Sequence, residues 1–391
     1  MMRLAQRVTA PLLAAAFVAC GAPAAPHNFG WVDTPRPRAV AGEGALRIRW
    51  SKRLTATFNQ PFIPVEHAGA GLDPVRDRVF IGSAQGGFFA FSSNGRSLFR
   101  YDARSGIEAA PVVDTRWGDV FLASEDGVVH ALRGRTGEPR WKESSGGPVR
   151  QPPVLAEDAV YVVTEDDKIV ALSREDGEIL WVYDREVDTE YAIAGHAGLL
   201  LHEGRLYCGF TDGAVVAVDA GDGSLVWERP TSLDYEPDES EAVRFFDVDT
   251  TPVLLGDTLY VASFTTGIYA LDPGNGSVKW REARTGVTGL AGAGSFLVVA
   301  SADEGVYVLQ TEDRQEVWRR EAEEGAPGPP LIAGSVVLVG ESKGSLMALQ
   351  LRSGLEVARL DAGSGFSAPV AVAGRYGFVL SNGGTLMAFS L

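Results

Sequence analysis

Carboxylates crowd one stretch of the chain. Asp234, Glu236, Asp238, Glu239 and Glu241 precede Arg244, and Asp247 and Asp249 follow it. Such a set could hold a cation or receive the basic groups of a partner. The residue order is not the Asp-x-Asp-x-Asp-Gly of a calcium-binding EF-hand loop. The histidines, His27, His67, His130, His196 and His202, make neither His-x-His nor His-Glu-x-x-His, and a Leu-rich run separates the last two. No Gly-x-Ser-x-Gly elbow and no Walker loop occurs. The two cysteines, Cys20 and Cys208, are too few for a disulfide scaffold or a thiolate metal cage. Two kinds of chemistry remain. Asp247 and Asp249 can accept hydrogen bonds or salt bridges from a basic partner strand or loop, or else cap turns within a solvated acidic loop. Cys20 can accept a lipid.

The case for Cys20 lies in its surroundings. A short basic segment ending at Arg7 leads into the apolar run Val8–Ala19. About twenty apolar residues are needed to cross a bilayer, so this run reads as a secretory signal over residues 1–19. It ends in Phe17-Val-Ala-Cys20-Gly21, which resembles the bacterial lipobox, with Phe17 where Leu is usual. A plain secretory signal is the alternative. Residues 20–45, rich in Ala, Pro and Gly, follow as a lipidated cysteine and flexible tether. Gly21 rather than Asp after the cysteine implies, by resemblance to enterobacterial sorting, the outer membrane and a periplasmic orientation. Cys208, within the strand-like run Arg205–Phe210, is expected to be a buried core thiol.

The chain has 391 residues, 45% hydrophobic and 22% charged, an ordinary globular composition. Its formal charge of −16 becomes −18 if Arg3 and Arg7 leave with the signal. That balance excludes nucleic-acid phosphates as partners and predicts repulsion from an anionic membrane, so attachment is expected to be apolar or covalent. The 46 glycines point to many turns and hence many short strands.

A repeat must position the residues above. Ala131–Trp141, Ala171–Trp181, Ala217–Trp227 and Ala270–Trp280 share one offset of ten residues, and Val308–Trp318 keeps it with Val for Ala. Phe99 follows Ala90 one residue early, and Ala358 stands where Trp is expected after Ala348. With Ala388 these anchors are spaced by 41, 40, 46, 53, 38, 40 and 40 residues. A repeat of about forty residues has room for four strands and is a propeller blade. The predicted fold is therefore all-β over residues 46–391, an eight-bladed propeller of four-stranded antiparallel blades. The last unit stops at Leu391 without its fourth strand, and Leu46–Trp50 is an orphan strand ending in Trp. Ring closure by this N-terminal strand follows, because closure removes open edges. Trp50, Trp141, Trp181, Trp227, Trp280 and Trp318 are then expected to dock blade on blade. The two long spacings select 184–198 and 230–249 as outsized loops, where function usually sits.

The Ala-Leu-x-x-x-x-Gly-x-x-x-Trp unit resembles the repeat of the pyrroloquinoline quinone (PQQ) propellers. Arg244-Phe-Phe-Asp247-Val-Asp249-Thr-Thr-Pro252-Val, running on to Tyr260, Ala270 and Trp280, is similar to a stretch of the BamB family of lipoproteins of the outer-membrane β-barrel assembly machine. The likeness covers 46–391 in periodicity and is specific around 241–280. It implies that Arg244, Asp247 and Asp249 contact the POTRA domains of a BamA-like outer-membrane barrel protein. Tyr191, Ile193, Ala194 and Gly195 match a second contact loop of the family, with Ala194 where the family has Arg.

The resulting expectation is a non-catalytic scaffold lipoprotein without cofactor, aiding folding and insertion of outer-membrane proteins, with nascent ones as a further expected partner. A PQQ-like propeller that binds another envelope protein or a glycan is the first alternative. A PQQ-dependent dehydrogenase is the second, although the adjacent-cysteine disulfide and long insertions of those enzymes are missing.

Overall fold

A computed structural model describes residues 38–40, 46–55, 66–185, 197–235 and 245–391. These form eight antiparallel sheets and no α-helix; one 3-10 turn lies at Ser232–Asp234. Blades one to seven span 70–102, 112–144, 154–184, 200–230, 253–282, 287–320 and 331–361, each with its four strands in sequence order. Blade eight takes three strands from 371–390 and its outermost one from Arg47–Arg53. The expected propeller and its closing strand are both present. First strands of neighbouring blades touch one another, so they line the ring axis.

The ten-residue Ala–Trp spacing has a direct cause. Ala on the third strand and Trp on the fourth are cross-strand partners: Ala131 faces Trp141, Ala171 faces Trp181, Ala217 faces Trp227 and Ala270 faces Trp280. Ala388 faces Trp50 in the same register, which identifies Arg47–Arg53 as the missing fourth strand. A small residue opposite the indole leaves room for it to lean across the sheet.

The second and third strands have both faces covered by neighbouring blades, so they read as unbroken apolar runs rather than alternating ones. Ala159–Val163 and Gly267–Leu271 are buried throughout. The core is accordingly divided into eight apolar layers, one at each blade–blade junction. Cys208 is fully buried in the layer between blades three and four, where burial pushes its thiol far above the ordinary range.

Within the segment read from sequence as a tether, Arg38–Val40 forms a short strand. It pairs with Arg359–Asp361 and makes blade seven five-stranded.

Alternating strand direction sorts the connections onto two faces. Turns between second and third strands share one face, here called upper, with the links from blade to blade. Turns between first and second and between third and fourth strands form the lower face.

Candidate functional site

The outermost-strand indoles reach the lower face of the next blade. The Nε1 of Trp141, Trp181, Trp227 and Trp318 donate to the carbonyls of Arg174, Ala220, Pro273 and Leu351 at 3.0, 3.2, 3.0 and 2.7 Å. Their rings lie on Gly177, Gly223, Gly276 and Gly354, where a Cβ would come within 2.5–2.7 Å of the indole. Trp50 repeats the contact on blade one, donating to Ser93 O at 2.7 Å with its ring against Gly95. Trp280 lies beside Tyr260, with ring centroids 5.7 Å apart. In the corresponding turn of blade six the glycine is replaced by Arg314, held at φ 63°.

The Asp247 motif belongs to the upper face. It is the link from the last strand of blade four to the first strand of blade five, and hydrogen bonds pin it on both sides. The Val248 N–H donates to Phe210 O of blade four at 3.1 Å, and the Phe264 N–H of blade five donates to Asp247 O at 2.9 Å. The Val248 side chain fills the space that a Cβ on Gly209 would occupy, which is why blade four carries glycine there. Ser263 Oγ donates to Phe246 O at 2.9 Å, and Thr250 Oγ1 accepts from the Ala262 N–H at 2.9 Å. Thr251 Oγ1 accepts from the Gly198 N–H at 3.1 Å, tying in the end of the link between blades three and four. The Asp-Val-Asp-Thr-Thr sequence is therefore a built element: its threonines replace ladder bonds and its valine plugs a gap.

Asp247 is fully buried and Asp249 half-buried. The second–third turn of blade three adds Asp167, which accepts from Thr211 Oγ1 of blade four. Burial first, then the Asp247 and Asp167 carboxylates, push the Asp249 carboxyl up to about 8. Its buried Oδ1 meets no hydrogen-bond donor among the described residues. One carboxyl from blade three and two from the link between blades four and five thus act on one another, and they favour the protonated form of Asp249. A cationic side chain arriving here would displace that proton and gain a charge-assisted bond in a low-dielectric setting. Among the described residues no group of three or more His, Cys, Asp or Glu is arranged to hold a metal ion.

Of the residues expected at a partner interface, Asp247 and Asp249 lie among the described residues. Cys20, Tyr191, Ile193, Ala194, Gly195 and Arg244 lie outside the described residues. Asp167 was missed, although a signal existed. Gly86, Gly127 and Gly213 take positive φ in this turn of blades one, two and four, and Asp167 takes φ 57° in the same place. Asp is one of the few non-glycine residues that this left-handed conformation tolerates.

A second upper-face network was not foreseen either. Arg150 pairs with Glu108 at 3.4 Å, Glu125 at 3.1 Å and Glu165 at 3.3 Å, joining blades one to three. Burial and the neighbouring Glu125 charge push Glu108 up, while burial and the Arg150 charge push His67 down.

A family model described as outer membrane protein assembly factor BamB matches residues 116–320 and 302–391. BamB of Shewanella oneidensis is 27% identical over 214 residues, 54% of this chain and 53% of that protein. BamB of Burkholderia pseudomallei is 25% identical over 332 residues, 82% of this chain and 81% of the relative. With the first of these the chain matches about half the relative's length. The crystal structure of BamB from Moraxella catarrhalis superposes with a TM-score of 0.72 at 21% identity, over 89% of this chain and all of that one.

Proposed function

Because the chain belongs to the family of the outer membrane protein assembly factor BamB, we propose that it is a non-catalytic scaffold of the outer-membrane β-barrel assembly machine. It holds the POTRA domains of a BamA-like barrel protein, and so keeps them placed for the folding and insertion of outer-membrane proteins. Residues 1–19 serve as the signal, Cys20 carries the lipid, the tether leads from it to the Arg38–Val40 strand, and the propeller faces the periplasm. The tryptophans weld the blades into a rigid platform.

One observation carries this reading. The link 245–251 is bonded to blades four and five along its length and presents the half-buried Asp249 beside the buried Asp247 and Asp167. Asp249 Oδ1 meets no donor among the described residues, so a basic group from a partner would find an open acceptor there, and the rigid backing means that little ordering entropy is lost on binding.

The test is affinity capture of the tagged protein from its own cells, with identification of what accompanies it. A POTRA-bearing barrel protein should be retained, and the double substitution Asp247→Ala/Asp249→Ala should release it. A different envelope protein captured in its place would favour the alternative already raised by Ala194.

A further inference from the structure

Charge is not spread evenly round the ring. Blade eight with its closing strand contains Arg47, Arg49, Lys52, Arg53 and Arg375 and no Asp or Glu, in a chain of net charge −16. Elsewhere arginines are largely committed. Arg140 pairs with Asp119 at 2.5 Å, Arg185 with Asp212 at 2.6 Å, and Arg359 with Glu323 at 2.8 Å. Arg47, Arg49, Lys52 and Arg375 are exposed and form no ion pair with the described residues. The repulsion from anionic surfaces expected from net charge therefore does not hold for this blade.

The cations at the lower end of blade eight surround a cleft. Arg47 lies in register with Ser390, which itself faces Tyr376, so all three share the lower edge. The Arg49 and Arg375 guanidinium carbons each sit 5.6 Å from the centre of the Tyr376 ring. Tyr376 in turn walls a cleft of about 160 Å³ at the junction of blades eight and one, together with Leu72, Val79, Phe378 and Arg78. Arg78 Nη1 is shielded from solvent there and has no hydrogen-bond partner among the described residues. Two carboxylates also line the cleft. Asp73 is occupied, accepting from the Arg76 N–H at 3.0 Å and from Arg76 Nη1 at 3.2 Å, and Asp77 is exposed at the rim. A buried guanidinium nitrogen lacking an acceptor, set among apolar walls, calls for an anionic oxygen carried on an apolar body.

We infer that this junction is a docking site for the anionic phospholipids of the membrane: Arg78 takes a headgroup phosphate in the cleft, and Arg47, Arg49 and Arg375 meet the surrounding lipid surface. The proposal rests on the envelope location argued above. It places the lipid contact on the lower face and the partner contact of Asp247 and Asp249 on the upper one, so the propeller would present its scaffold face away from the bilayer. The eighteen-residue span from Cys20 to Arg38 reaches at most about 60 Å, enough for a lipid anchor to permit this orientation without dictating it. Charge supplies the orientation.

The test uses the full chain with vesicles of phosphatidylcholine alone or containing one-fifth phosphatidylglycerol. The readout is the ratio of the two affinities. Whatever the N-terminal segment adds is common to all variants. The wild type should prefer anionic vesicles, and the preference should fade in 0.5 M salt, a concentration that screens surface charge. R47Q/R49Q/R375Q should lower the ratio on the order of 100-fold, at about fivefold per lost cation. R78Q should lower it with no other charge removed. K142Q/K343Q, which removes two exposed cations off the lower face, should leave it unchanged, and thermal melts should confirm that every variant folds. Equal affinity for both vesicles, an undiminished ratio in the triple variant, or retention on poly-glutamate without vesicle preference would each overturn the inference. Loss of vesicle preference with capture of the barrel protein intact tells against this inference alone. Failed capture with the preference intact tells against the assembly role alone.

Discussion

The Trp50 indole N–H donates to the Ser93 carbonyl at 2.7 Å, joining a residue of the closing strand to a turn of blade one. The ring is held between Phe91 and Phe378, with centroids at 5.9 and 6.0 Å, so one side chain packs on both sides of the junction. The last blade is thereby fastened to the first by the same contact that fastens its neighbours.

Trp50→Ala should destabilise the protein by about 3 kcal/mol, the lower end for loss of a large aromatic, because the indole is only partly buried. Chemical denaturation of variant and wild type measures it. An unchanged midpoint would refute the role of Trp50 as the clasp.

Gly223 combines a positive φ of 74° with the Trp181 ring, which an added Cβ would meet at 2.5 Å. Gly223→Ala should cost at least about 1–2 kcal/mol from backbone conformation alone, with the steric clash in addition. Arg314→Gly, at the equivalent turn of blade six, should shift the melt far less, since it relieves a positive φ of 63° and loses one exposed ion pair to Glu282. Equal losses at the two positions would show that indole packing does not select the glycine.

These contacts explain what could be read from sequence. The Ala–Trp offset survives in the chain because the two residues are cross-strand partners joined by a turn of fixed length. It shifted at Ala90 and Phe99, which are still paired, because that turn is one residue shorter. The closing strand was legible because Trp50 had no third-strand partner near it in sequence and Ala388 had no Trp after it. The site was legible only in part. Asp247 and Asp249 stood out as a motif, but Asp167 comes from a turn some eighty residues earlier in the chain and meets them only through the ring. The basic junction was hidden for the same reason: Arg49, Arg78 and Arg375 are distant in sequence, and the net charge averages them away.

Asp249 makes the site sensitive to pH. Its folded value of about 8 lies above the ordinary 3.8, so its contribution to stability is complete below about pH 3.8 and is lost as pH rises through about 8. Asp249→Asn should remove that loss, which builds up between about pH 3.8 and pH 8 and levels off above. In the complex the order reverses: a partner cation that pairs with the Asp249 anion must displace its proton, so affinity should rise with pH up to about 8 and then level off. Calorimetric titration between pH 6 and pH 9, in buffers of different ionisation enthalpy, should detect the released proton.

His130 acts in the opposite sense. It is buried between Tyr101 Oη at 3.0 Å and Ser124 Oγ at 3.1 Å, and burial, with the Lys142 charge, holds it down at about 4. The unfolded chain binds this proton more readily, so stability is full above about pH 6.5 and falls as pH drops towards about 4. The acid-side loss should reach about 3 kcal/mol at most and should be absent in His130→Gln. Parallel acid titrations of the two proteins by urea denaturation test this.

The central claim is that the link 245–251 holds a basic element of the barrel protein's POTRA domains. The most direct measurement is titration of the purified full chain with purified POTRA domains, comparing wild type with Asp247→Asn/Asp249→Asn, which preserves shape and removes charge. Saturable binding by the wild type that weakens by at least about tenfold in the variant, as loss of a buried charge pair requires, is the result expected here. Equal affinity of the two proteins, or no binding by either, would contradict it.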